Sequence, residues 1–168
     1  MESKFVSDVR QSVEAASASG LDCAESVLLA LAKAQGIESE LLPKVATAFC
    51  SGMSRTGGHC GALTGAVMGV SLAFGRNKPG EPMSDLYAAT QQLVREFEQE
   101  FGARNCSDLL DCDLATSQGR IKFCEERLHE RCAKYTSRAA EIAARVIAER
   151  KGQPSVVAAG PGRHVMAF

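Results

Sequence analysis

The sequence predicts an all-α fold, a compact multi-helix bundle, and three observations carry that prediction. Apolar residues recur at steps of three and four through most of the chain. Caps and glycines punctuate the periodic stretches, and no stretch alternates apolar and polar residues as a half-buried strand would. A first helix is read over "DVRQSVEAASAS", residues 8–19, ahead of Gly20. The second is "DCAESVLLALAKAQG", residues 22–36, with Asp22 at the N-cap and Glu25 three positions on, a capping box. A third runs over "SELLPKVATAFCSG", residues 39–52, where Pro43 falls in the first turn and is tolerated. The fourth is the apolar "CGALTGAVMGVSLAFG", residues 60–75, followed by a loop, "GRNKPGEPMS", marked by its glycines and prolines. "SDLYAATQQLVREFEQEFG" puts Leu86, Ala89, Leu93, Phe97 and Phe101 on one stripe and stops at Gly102. The last helix starts at Ile121 and repeats Cys124, Leu128, Cys132, Tyr135, Ala139, Ile142 and Val146 at helical steps. These elements form one domain over residues 1–150, with 151–168 an irregular C-terminal tail.

Charge and composition exclude several functions. The 19 basic and 20 acidic side chains leave a net charge of −1, so neither a nucleic-acid surface nor a polybasic membrane patch is indicated. Membrane insertion fails on length, because residues 61–75 supply 15 uncharged residues where a span needs about 20. The first twenty residues hold no apolar signal core, which points to a cytoplasmic chain. No glycine-rich phosphate loop, Ser-His-Asp set or paired-carboxylate arrangement occurs, so hydrolase chemistry is not indicated.

The cysteines are the unusual feature. Seven in a reducing compartment are more than packing needs, and an odd number argues against a complete disulfide framework. No C-x-x-C occurs, so a shared site must be assembled from distant segments. Cys23 and Cys106 follow the N-cap residues Asp22 and Asn105, and Cys60 follows the "GGH" lead-in of the fourth helix. Free N–H groups and the positive helix end at those places favour a thiolate. Gly61, Gly65 and Gly69 lie four residues apart beyond Cys60. A glycine inside a helix costs about 1 kcal/mol relative to alanine, so the stripe serves either close helix packing or access to a bound group. Gly61, beside the cysteine, is read as part of the site, with Gly65 the next candidate on the same face.

Four segments, "DCAESVL", "GHCGALTGA", "FGARNCSDLL" and "CAKYTSRAAEIA", resemble in order the C_GCAxxG_C_C family of redox-active proteins, over roughly residues 20 to 145. Cys60-Gly61-Ala62-x-x-Gly65 matches the family signature residue for residue. The resemblance assigns the four family cysteines to Cys23, Cys60, Cys106 and Cys132, leaving Cys50, Cys112 and Cys124 outside the pattern. It implies thiol redox or cluster chemistry, since a similar domain in split-Soret cytochromes is associated with an iron–sulfur site.

Two chemistries suit four cysteines converging from four helices, three of them at helix starts. An iron–sulfur cluster, [2Fe–2S] or [4Fe–4S], takes four-cysteine ligation for electron transfer, with Gly61 and Gly65 making room for it. The metal-free alternative is a thiol/disulfide oxidoreductase in which Cys60 and Cys23 are the catalytic pair. Zinc usually takes short C-x₂₋₄-C pairs, which are lacking. A cysteine-rich metal-binding or scaffold protein without turnover is the third reading. The partner implied is a redox protein or a small thiol or disulfide, and a homodimer is compatible. Cys50 and Cys124 read as core fillers. Cys112, between Asp111 and Asp113, reads as a poor nucleophile because its acidic neighbours oppose ionisation. His59 reads as a loop histidine, His129 as solvated, and His164 falls in the tail.

Overall fold

A computed structural model describes residues 3–152. The expected tail beyond Gly152, with His164, lies outside the described residues. Helices run over Lys4–Ala18 (α1), Cys23–Ala34 (α2), Leu41–Ala46 (α3), Cys50–Arg55 (α4), Gly61–Phe74 (α5), Ser84–Phe101 (α6), Cys106–Leu110 (α7), Ser117–Glu125 (α8) and His129–Lys151 (α9), with a 3₁₀ turn at Thr47–Phe49. The all-α expectation holds. Among the described residues the only extended pairing is a single antiparallel bridge between His59 and Asn105.

α1, α2, α5, α6 and α9 form the body of the bundle, with α9 packed against each of the other four. Its core is aliphatic: Val9, Val27, Leu31, Val70, Leu93 and Ile147 are buried from water, joined by Phe97. On α6 the predicted stripe faces inward. Ala89, Leu93 and Phe97 are fully buried, and Leu86 and Phe101 pack at the margin. Gly102 ends that helix in the left-handed conformation (φ 79°), which glycine adopts without steric cost. Outside the core, Arg138 of α9 forks onto Glu100 at 2.9 Å through both nitrogens and also meets Glu141, which accepts from Arg10 at 2.6 Å.

The seam between α2 and α5 shows what the glycine stripe does. A Cβ on Gly65 would lie 2.5 Å from the Ala24 carbonyl oxygen and 3.0 Å from its Cα. One on Gly69 would lie 2.3 Å from Leu31 Cδ1. Both glycines let α5 approach α2 closely, and Gln35 locks the far end by donating to the carbonyls of Leu31 and Gly69. Gly65, expected also to make room for a bound group, faces the α2 backbone.

Two expected helices are broken. The stretch 39–52 does not continue as one helix: α3 passes into the 3₁₀ turn, and the chain then turns left-handed. Ser51, Gly52, Met53, Ser54 and Arg55 have φ of 54°, 64°, 49°, 58° and 71°. The left-handed form costs roughly 1–2 kcal/mol per non-glycine residue, so tertiary contacts must hold it. The last helix is also interrupted. Arg127 takes φ 52°, separating α8 from α9 and leaving Ile121 and Cys124 on an exposed face.

Because Gly65 meets backbone rather than a movable side chain, Gly65→Val overpacks the seam. A loss of about 1–3 kcal/mol in urea unfolding is expected, with the alkylation rate of Cys60 in the folded protein unchanged. Unaltered stability would show that the seam is looser than described.

Candidate functional site

The site is built where the left-handed turn, the start of α5 and the start of α7 meet. Residues 58–60 and 104–106 run antiparallel: Cys60 N–H donates to the Arg104 carbonyl and Cys106 N–H to the Gly58 carbonyl, both at 2.8 Å. His59 Nδ1–H donates to Asn105 Oδ1 at 2.8 Å, and the Asn105 amide donates to Asp108 at 3.1 Å. Asn105 is therefore an N-cap by position whose side chain serves the bridge instead. This pairing sets Cys60, the N-cap of α5, beside Cys106, the first residue of α7. Gly52 closes the arrangement, because a Cβ there would sit 2.4 Å from Cys106 Cβ. The turn itself is held by Gly58 N–H donating to Gly52 O and by Ser54 Oγ donating to Ala48 O.

A cavity of about 350 Å³ opens between these segments, α2 and the start of α9. Cys23, Cys60, Cys106 and Cys132 all line it. Leu109, Leu110, Leu114 and Phe123 form an apolar wall, while Asp22 and His129 stand at the exposed rim. Tyr135 fixes one side by donating its hydroxyl to the Leu109 carbonyl at 3.0 Å, tying α9 to α7. Gly61 belongs to the site as well as to the seam. A Cβ there would lie 2.4 Å from Cys23 Sγ, 3.0 Å from Phe49 O and 3.2 Å from Cys50 Cα.

The other cysteines have separate surroundings. Cys124 is exposed and lines a shallow surface with Ile121 and Arg120, away from the cavity. Cys112 is buried and donates its thiol to the Gly119 carbonyl at 2.9 Å. Cys50 does pack in an apolar cluster, where its thiol donates to the Ala46 carbonyl at 3.9 Å and Cys23 packs beside it. That neighbour matters more than burial in pushing the Cys50 thiol up. Sequence reasoning missed this pairing, because nothing local to Cys50 announces it. His59 is held in the bridge and does not line the cavity, whereas His129, read as solvated, reaches its rim.

Electrostatics corrects the expectation of thiolates at helix ends. Burial pushes Cys60 up to about 11, although the N–H groups of Ala62 and Leu63 pull the other way and a charge on Cys106 adds to the rise. Cys132 is pushed up to about 12, chiefly by burial and then by Cys106 and Cys60. Cys106 rises through burial and its neighbour Cys112. Desolvation of the charged form outweighs the helix ends, so these free thiols are protonated at neutral pH. Cys60, Cys106 and Cys132 line one cavity, and a charge on one of them opposes ionisation of the others.

They are not gathered as tightly as one ion requires. Zinc–sulfur bonds of about 2.3 Å in a tetrahedron set sulfurs about 3.8 Å apart. Among the described residues the one group of three possible ligand atoms within 4.8 Å of one another is Asp22, Glu25 and Cys50. Both carboxylates there are occupied in capping α2, and Glu25 accepts from Asp22 N–H and Thr47 Oγ1.

Residues 21–146 match a family described as "Putative redox-active protein (C_GCAxxG_C_C)". The chain belongs to the C_GCAxxG_C_C family. A protein of Archaeoglobus fulgidus, itself described as uncharacterized, is 31% identical over 140 residues, covering 77% of this chain and 87% of that one. No solved structure matches. Within the C_GCAxxG_C_C stretch lie all seven cysteines, each a free thiol. No helix among the described residues is long and apolar enough to cross a membrane.

The raised thiols make stability depend on alkaline pH in the metal-free protein. Unfolded thiols ionise from about 9, whereas Cys60 and Cys132 keep their protons in the fold up to about 11 and about 12. Over that window the native state binds more protons, so unfolding stability falls as pH rises and is unaffected below it. Chemical denaturation at several pH values should show this fall, with a shallower slope in Cys60→Ala. Equal slopes would mean that Cys60 is not the group responsible.

Proposed function

We propose that this C_GCAxxG_C_C protein is an electron-transfer protein whose Cys23, Cys60, Cys106 and Cys132 hold an iron–sulfur cluster. One observation carries the reading: four cysteines from four separate segments open on one cavity, spaced wider than a single ion needs. A polynuclear group takes the same all-cysteine donor set over a larger span. When bound, the cluster supplies one-electron storage.

The chain's own residues do the rest. Protonated, buried thiols are poor nucleophiles, but a bound cation deprotonates its sulfur ligands outright, so the raised thiols suit metal ligation better than free-thiol attack. Ligation then releases protons, and affinity weakens in acid. The N–H groups of Ala62 and Leu63, in the first turn of α5, favour a charge on the Cys60 sulfur. Leu109, Leu110 and Phe123 exclude water from the inner wall, and the rim at Asp22 and His129 is where a redox partner approaches.

The test is purification without oxygen, or reconstitution with iron and sulfide, followed by visible spectroscopy and elemental analysis. Broad visible absorption with matched iron and sulfide is expected. Cys132→Ser should lose most of the iron, and Cys124→Ser should retain nearly all of it. Zinc in place of iron, or equal sensitivity of the two variants, would overturn the assignment.

A further inference from the structure

Cys50 lies outside the four-cysteine pattern, yet it packs beside one of the four. Cys23 packs against the apolar cluster that buries Cys50, whose own thiol donates to the Ala46 carbonyl at 3.9 Å. The space a side chain would take on Gly61 touches both: 2.4 Å from Cys23 Sγ and 3.2 Å from Cys50 Cα. With no side chain on Gly61, the Cys23 sulfur is able to sit close to the Cys50 backbone. Cys23 is partly exposed and lines the cavity, whereas Cys50 is only 5% exposed and does not. An incoming reagent meets Cys23 first. Cys112 donates its thiol to the Gly119 carbonyl within the cluster that holds Cys106, and Cys124 stands on an outer face. Cys60, Cys106 and Cys132 influence one another by charge.

We propose that Cys23 and Cys50 form a dithiol site for low-molecular-weight disulfides, with Cys23 the attacking and Cys50 the resolving sulfur. In the first step the Cys23 sulfur gives up its proton to solvent and bonds to one sulfur of the disulfide, whose S–S bond breaks, and one small thiolate leaves. In the second the Cys50 sulfur attacks Cys23 as its proton passes to solvent. The mixed disulfide breaks and the second small thiolate leaves. The two protein thiols are oxidised to one disulfide, and one small disulfide is reduced to two thiols. The pairing concerns the chain without its cluster, and it stands whether or not the iron–sulfur assignment does. With Cys23 in a disulfide, the cavity has three cysteine thiols left, so oxidation and four-cysteine ligation exclude one another.

Glutathione disulfide is the probe, applied to the full chain freed of iron and checked for its absence. After alkylation and tryptic digestion, mass spectrometry should find the peptides of Cys23 and Cys50 joined. The exposed Cys124 should carry a lasting glutathione adduct and so report, within the same chain, what a cysteine without a resolving partner does. In Cys50→Ser the adduct on Cys23 should persist at least ten times longer than in the unsubstituted chain. Cross-linking of Cys23 to Cys60, Cys106 or Cys132 would overturn the proposal. So would an adduct on Cys23 as durable as that on Cys124, or no reaction at Cys23. The peptide map of the unsubstituted chain decides even if Cys50→Ser does not fold. Iron content plays no part in the readout, so failure here is distinguishable from failure of the cluster assignment.

Discussion

The close approach of α2 and α5 is the constraint on which the rest of the molecule depends. Gly65 and Gly69 present no side chain to Ala24 and Leu31, and the separation this permits is carried along the seam to Gly61. There the same lack of a side chain accommodates a sulfur rather than a helix. One periodic feature thus sets the packing of the two helices and the position of Cys23 against the start of α5. A wider seam would move Cys23 away from Cys60 and from Cys50 together.

The site is governed by a competition between burial and local dipoles. Helix starts supply N–H groups to Cys60, but the cavity is shielded enough that removing a thiolate from water costs more than those groups return. A sulfur in such a place stays quiet as a free thiol and becomes a good ligand when a cation provides the compensating charge. Attack by a free thiol at neutral pH is therefore disfavoured at Cys60, Cys106 and Cys132, whereas Cys23 is partly exposed and has Cys50 packed beside it.

Much of the fold was legible because its signals are local. The α6 stripe, the Asp22–Glu25 capping box and the Gly102 stop each depend on residues within a few positions of one another. The presence of Cys23, Cys60, Cys106 and Cys132 on one cavity was legible only through the ordered resemblance of four segments, since no spacing rule relates residues so far apart. The left-handed turn was not legible. Ser51, Met53, Ser54 and Arg55 carry no preference for positive φ, and the turn is closed by the nearby Gly58 N–H and packed by Cys106, which arrives from far along the chain. The position of Cys50 beside Cys23 follows from that turn and was hidden with it. The break at Arg127 was masked because the apolar repeat of Ile121, Cys124 and Leu128 continues through it, although its first two members face outward.

The distribution of the cavity's cysteines along the chain has a consequence for biosynthesis. Chains emerge from the ribosome N-terminal end first, so Cys23, Cys60 and Cys106 are made well before Cys132. Until α9 docks and Tyr135 finds the Leu109 carbonyl, the side of the cavity that Cys132 and Tyr135 supply is missing. A nascent chain therefore exposes three of its four cavity thiols to any metal ion or oxidant in the cell. The proposed four-cysteine site would be complete only once α9 has docked, which makes its completion a late event coupled to that of the whole bundle.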